Sequence, residues 1–143
     1  MSNMTDSNKL QEVVKQIKAL SKLSPATRLK VGAALCDSEF NILAMGYNHP
    51  IVDAPCEIFN EETQSLETDN RRMLHAEESI IALCSQERIS LKRKIIVLTH
   101  SPCSQCAKML AACGVKKILF VDLYRNTDSF EVLDEAKVEY QQL

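Results

Sequence analysis

Lys94-Ile95-Ile96-Val97-Leu98-Thr99-His100-Ser101-Pro102-Cys103-Ser104-Gln105-Cys106 is the stretch on which the fold turns. The apolar run Ile95 to Leu98 predicts a strand over Lys94 to Thr99. Residues Cys103 to Cys113 then read as a helix stopped by Gly114, a residue suited to a helix C-cap. A strand that runs straight into a helix sets its junction where ligands collect in α/β folds, at strand carboxyl ends and helix N-termini. Cys103 and Cys106 stand at that junction. Helical side chains tilt towards the N-terminus and positions three apart share a face, so both sulfurs can point at one ion. The helix N-terminus also favours the thiolate form.

Upstream, His75-Ala76-Glu77 opens a second predicted helix, running to Gln86, with Ile80, Ile81, Leu83 and Cys84 turned to the core. A neutral imidazole and two thiolates suit Zn²⁺ and leave one tetrahedral position open, the arrangement of a catalytic site. Glu77 is then free to carry protons. Two other readings stay open at this level. A strand followed by Cys-x-x-Cys also describes a thioredoxin-like redox pair, although that leaves His75 and Glu77 without a role. A closed structural zinc site is the other, with His100 or Cys113 as fourth ligand.

The rest of the chain follows the same alternation. Leu10, Val13, Val14, Ile17 and Leu20 recur at helical spacing, which predicts an amphipathic helix from Ser7 to Ser21. Val31 to Cys36 and Ile42 to Met45 read as a hairpin around Asp37-Ser38-Glu39. Gly46-Tyr47-Asn48-His49-Pro50 closes its second strand, and Pro50 disfavours helix at His49. Residues Ile51 to Asn70 show little periodicity and are expected to form a lid or partner-contact loop. Ile118 to Val121 reads as a buried strand, Phe130 to Lys137 as a helix and Val138 to Tyr140 as a last short strand. A hairpin followed by alternating helix and strand implies a mixed sheet with helices on both faces, in one domain spanning residues 1–143.

Composition excludes little but constrains partners. Apolar residues make up 45% and charged residues 25%, as in ordinary globular proteins. The net charge of -2 argues against a large nucleic-acid-binding face while leaving room for local phosphate contacts. No stretch approaches a membrane span and the N-terminus lacks the apolar core of a signal peptide. Six cysteines without an export signal point to a reducing compartment, the cytoplasm by default. Cys36, Cys84 and Cys113 occupy apolar positions and read as small buried hydrophobes, with Cys56 ambiguous. Arg28 precedes a strand and Arg125 follows one; both are surface charges unless a ligand uses them. Tyr47, Asn48 and Tyr124 read as turn and rim residues.

Taken together, the motifs resemble the deoxycytidylate (dCMP) deaminases of the zinc-dependent cytidine deaminase superfamily. The likeness rests on Thr27-Arg28-Leu29-Lys30-Val31-Gly32-Ala33, Gly46-Tyr47-Asn48, His75-Ala76-Glu77 and Ser101 to Lys108, and runs from about Thr27 to Tyr140. H-x-E followed by P-C-x-x-C is the signature of zinc nucleobase deaminases. The resemblance implies a three-layer α/β/α fold with a five-stranded mixed sheet. It implies an enzyme that hydrolyses dCMP to dUMP and ammonia, breaking a cyclic amidine C–N bond, in the supply of dTTP precursors. By resemblance His75, Cys103 and Cys106 hold one zinc per subunit. Glu77 is the general acid/base, Ala76 and Ser101 meet the base edge, and Asn48 meets the sugar. Arg28 and Arg125 reach the 5′-phosphate, and Tyr124 sits beside them. The resemblance further implies a hexamer activated by dCTP and inhibited by dTTP, with Mg²⁺ accompanying the nucleotide, around Gly46, Tyr47 and His49. Two departures stand out: His49 replaces the usual Gly after Gly-Tyr-Asn, and Ala26 stands where some relatives carry a Cys ligand of a second zinc. The same fold also serves deaminases of other bases (free cytosine, guanine, adenosine in tRNA) and, as a further alternative, a silent nucleotide-sensing zinc protein.

Overall fold

The computed structural model describes residues 5–124 and 127–143. Helix α1 (Asp6–Ser21) opens on Thr5, whose hydroxyl accepts from the Asn8 amide at 3.2 Å and so caps an otherwise unpaired helix donor. Strands β1 (Gly32–Cys36) and β2 (Ile42–Tyr47) form the expected hairpin, with a register shift between Leu35 and Cys36. Its turn is tied by the Asp37 carboxylate, which accepts from the amides of Glu39 (2.9 Å) and Asn41 (3.0 Å).

Four short strands then depart from the sequence expectation. β3 (His49–Pro50) pairs with β6 (Met73–Leu74), and β4 (Glu57–Asn60) pairs with β5 (Ser65–Thr68), all antiparallel. The segment read as an irregular loop is therefore largely a small hairpin. Its apolar residues Ile58, Phe59 and Leu66 are more than half or half exposed, which is why no burial periodicity marks it in the sequence.

The chain continues through α2 (Ala76–Glu87), β7 (Ile95–His100), α3 (Ser104–Ala112), β8 (Lys117–Asp122), α4 (Asp128–Glu135) and β9 (Glu139–Gln142). The main sheet has the order β2-β1-β7-β8-β9. β1 pairs antiparallel with β2 and β7, whereas β7, β8 and β9 run parallel, so the sheet is mixed as the alternation implies. The two-residue period of a strand sorts the core into two layers. Ala33, Leu35, Ile96, Leu98, Ile118 and Phe120 face α2, α3 and α4 through Ile80, Cys84, Ala107, Leu110 and Leu133. Their neighbours Ala34, Cys36, Ile95, Val97 and Leu119 face α1 through Val13 and Ile17. The result is a three-layer α/β/α arrangement with α1 alone on one side.

Details differ from expectation at single residues. Leu83 is 36% exposed because it turns off the buried face defined by Ile80 and Cys84. Cys56, in the loop region, is buried, whereas Cys113 is only partly so. Gly114 has φ +82, the left-handed conformation that a helix C-terminus favours. Among the described residues, no helix is long and apolar enough to cross a membrane.

Gly32 marks a close approach of α1 to the sheet, since a Cβ there would run into the Ile17 carbonyl. A backbone carbonyl in a packed helix cannot yield as a side-chain tip can. Gly32→Ala is therefore expected to destabilise the protein by about 2–3 kcal/mol, read as a lowered urea midpoint at unchanged slope.

Candidate functional site

Two helix N-termini meet at one end of the sheet. His75 is the N-cap of α2, and its backbone N–H donates to the Glu78 carboxylate at 2.8 Å, which anchors the start of that helix. β7 leads through Ser101 and the fully buried Pro102 to Cys103, the N-cap of α3. Ser101 is held by its own N–H, which donates to the Asp122 carbonyl at 2.9 Å. Its hydroxyl accepts from the Tyr124 amide at 2.6 Å. The Cys106 amide donates to the Cys103 sulfur at 3.5 Å, so the first turn of α3 fixes both thiols.

His75 Nδ1 consequently lies 3.3 Å from the Cys106 sulfur and 3.6 Å from the Cys103 sulfur. The three donor atoms all fall within 4.8 Å of one another. Tetrahedral zinc, with bonds of about 2.3 Å to sulfur and about 2.0–2.1 Å to nitrogen, would set N···S separations near about 3.6 Å. The spacing and the borderline-soft donor set both fit that ion. Among the described residues, neither His100 nor Cys113 joins the group. His100 Nδ1 instead makes a hydrogen bond with the Thr99 hydroxyl at 2.9 Å, which disfavours the closed four-ligand site. The imidazole set against both sulfurs likewise disfavours the redox-pair reading.

The electrostatics of the trio reflect the crowding. The Cys106 thiol donates to Cys103, and this, with the neighbouring His75, holds Cys103 down at about 4 against the opposing effect of burial. Cys106 is pushed up, because its thiol proton is held in the hydrogen bond to Cys103 and because it is itself buried. His75 is raised to about 9 by its contact with the Cys103 thiolate, burial working against it. Burial raises the Glu77 carboxyl to about 7, with the nearby His75 opposing the rise.

These groups open into a pocket of about 270 Å³. Of the residues singled out in the sequence, Arg28, Asn48, Ala76, Glu77, Ser101 and Tyr124 line it with His75 and Cys103. Arg125 lies outside the described residues. Asn48 is buried, and its amide ties down the segment after Arg28: Oδ1 accepts from the Val31 amide and Nδ2 donates to the Leu29 carbonyl, both at 2.8 Å. Gly46, Tyr47 and His49 are not brought to the pocket wall. A Cβ on Gly46 would sit 2.8 Å from the Ser79 hydroxyl, so that glycine admits α2 against β2. The rings of Tyr47 and His49 lie 5.4 Å apart.

Sequence reasoning missed Glu57, Thr68 and Met73, which also line the pocket. All three come from the stretch 57–73, where no motif flags them. His100 is present, but in the pocket wall rather than as a ligand.

Comparison with known proteins agrees with this geometry. Residues 7–122 match the family described as "Cytidine and deoxycytidylate deaminase zinc-binding region". A probable deoxycytidylate deaminase of Caenorhabditis elegans is 26% identical over 144 residues, covering 96% of this chain and 71% of the relative. One from Drosophila melanogaster is 28% identical over 125 residues, covering 78% and 61%. The crystal structure of the dCMP deaminase from cyanophage S-TIM5, in complex with dCMP and dUMP, superposes with a TM-score of 0.80 at 31% identity. That match covers 94% of this chain and 96% of the other.

The elevated Glu77 pKa carries a stability consequence. The folded protein holds this proton more tightly than an unburied glutamate with its ordinary value of 4.5. The stability contributed is full below that value and lost as pH rises through about 7. In chelator-treated protein, Glu77→Gln should accordingly exceed the parent by about 3 kcal/mol at pH 8, with the advantage shrinking towards pH 5. Urea melts at the two pH values read it, and equal stabilities at pH 8 would remove the buried-charge account.

Proposed function

This chain belongs to the cytidine and deoxycytidylate deaminase zinc-binding family, and from that premise we propose that it hydrolyses dCMP to dUMP and ammonia. One observation carries the reading: the buried Glu77 carboxyl shares a pocket with His75 and Cys103, whose donor atoms, with that of Cys106, stand at zinc-ligand spacing. Support for the substrate comes from the cyanophage relative, whose structure holds dCMP and dUMP.

When bound by His75, Cys103 and Cys106, zinc supplies Lewis acidity that makes water a nucleophile at neutral pH. The chain's own residues do the rest. Glu77, buried in the pocket, accepts a proton from the attacking water and delivers it to ring N3, then takes the second proton from the new C4 hydroxyl and delivers it to the amino nitrogen leaving C4. Water adds its oxygen to C4, the C4–N4 bond breaks, and the products are dUMP and ammonia. Backbone groups at Ala76 and Ser101 orient the base edge, and Asn48 holds the wall on the sugar side. Arg28, exposed at the mouth, meets the 5′-phosphate with Tyr124 beside it, and Arg125 is assigned the same role.

The proposal extends to a cytoplasmic enzyme supplying dTTP precursors, with one zinc per subunit. It includes a homohexamer regulated by dCTP and dTTP, with Mg²⁺, near Gly46, Tyr47 and His49. The place of those three residues directly beside Asn48 in the chain supports coupling to the pocket. The exposed Ile58, Phe59 and Leu66 offer apolar surface for assembly.

Ammonia release over dCMP, deoxycytidine, CMP and cytosine tests the substrate, with dCMP expected to lead. Glu77→Gln should keep its zinc yet lose about 10³-fold in kcat; a variant of undiminished turnover refutes the proton-carrier role. Arg28→Ala should weaken kcat/KM for dCMP by about 10- to 100-fold more than for deoxycytidine. Equal losses on the two substrates would take Arg28 out of phosphate recognition.

A further inference from the structure

We propose that Glu57 and Thr68, cross-strand partners in the β4–β5 hairpin, are positioning residues that hold Arg28 over the pocket mouth. They thereby set the preference for a 5′-phosphorylated substrate over the bare nucleoside. This inference rests on the function proposed above and adds the device that selects the phosphate.

Thr27 and Arg28 belong to the connection between α1 and β1, which has no strand or helix to satisfy its amides. A single oxygen supplies the partner: Glu57 Oε1 accepts from the Thr27 amide at 2.8 Å and from the Arg28 amide at 3.1 Å. At the other end of the same residue, Arg28 Nη1 donates to the Thr68 hydroxyl at 3.4 Å. Glu57 and Thr68 face each other in the register of the hairpin. One rung of a two-stranded sheet thus grips both the backbone and the guanidinium of one arginine.

The hairpin is itself fixed against the connection it grips. Ala26, Cys56 and Met73 form a small buried cluster, so the residues just before Thr27 and just before Glu57 pack together. The Asp69 amide donates to the Cys56 carbonyl at 2.8 Å and closes the base of the hairpin. The Asp69 carboxylate in turn accepts from the Arg71 amide at 3.1 Å and from Arg72 Nη1 at 2.9 Å. Asn48 secures the far side of the connection at Leu29 and Val31. Arg28 is therefore an exposed arginine whose main chain is held on both flanks. A long cation presented in this way loses less freedom when it meets an anion than a free one does.

The hairpin lies outside the five-stranded sheet, and among the described residues its strands contribute no member to the core cluster under α2, α3 and α4 or to the zinc-ligand trio. Its contribution falls on recognition of the substrate's phosphate end rather than on the chemistry. Charge alone would make Glu57 a poor neighbour for a phosphate. Its use lies in the two amides it saturates, and a neutral acceptor of the same shape can replace it.

The experiment measures ammonia release by the zinc-loaded full chain on dCMP and on deoxycytidine, for the parent, Glu57→Ala, Glu57→Gln and Thr68→Val. Glu57→Ala should lower the ratio of kcat/KM for dCMP to that for deoxycytidine by about tenfold, through KM for dCMP. Glu57→Gln keeps the acceptor oxygen and should retain the parent ratio within about threefold, and Thr68→Val should lower it by about threefold. Equal losses on both substrates in Glu57→Ala, or a Gln variant that falls as far as Ala, would overturn the proposal. If Glu57→Ala does not fold, an unchanged ratio in Thr68→Val overturns it. Parent protein that releases no ammonia from dCMP rejects the proposed function, and this inference with it. Parent protein active on dCMP with an unmoved ratio in every variant rejects this inference alone.

Discussion

Three donor atoms from two helix starts converge at the spacing of ligands to one shared ion. His75 Nδ1 stands 3.3 and 3.6 Å from two sulfurs. That crowding pulls Cys103 down to about 4, lifts His75 to about 9 and pushes Cys106 up. A zinc ion held by His75, Cys103 and Cys106 would take both sulfurs as thiolates and the imidazole as neutral. The pocket wall, the buried Glu77 and the two helix caps are arranged around this convergence.

The sheet is what makes the convergence stable. β7 is buried along almost its whole length, paired antiparallel to β1 and parallel to β8, so its carboxyl end is fixed from both sides. α2 and α3 lie on the same face of that sheet, which brings their N-termini to one place. α1 covers the opposite face and contributes nothing to the metal trio. Gly32, the first residue of β1 and the point where α1 packs on that strand, donates its amide to the Thr99 hydroxyl at 3.0 Å beside His100. Ligand sites at strand carboxyl ends and helix N-termini follow from this layering.

Chemistry and recognition occupy different parts of the architecture. The metal trio and Glu77 sit at the ends of core elements, where packing leaves little freedom. Arg28 and its neighbours at the rim are held instead by hydrogen bonds between short segments: Glu57 and Thr68 on one flank, Asn48 on the other. On the reading proposed above, changes in the small hairpin would act on Arg28 at the mouth before they reach the buried centre.

Much of this was written locally. The period of Val13 and Ile17, the apolar run of β7, Gly114 at the end of α3 and the spacing of Cys103 and Cys106 each act within a few residues, so the chain alone set the helices, the central strand and the paired sulfurs, whereas the fold brought His75 to them from 28 positions upstream. The resemblance added substrate and roles that local pattern cannot carry. Residues 57–68 stayed opaque because their strands pair with each other and expose Ile58, Phe59 and Leu66, leaving no hydrophobic alternation tied to burial. Glu57 in the pocket wall, the Asn48 clamp and the bond from Gly32 to Thr99 were decided by tertiary structure alone. Each joins residues 17 to 67 positions apart, and a hydrogen bond across that span leaves no periodic trace in the sequence.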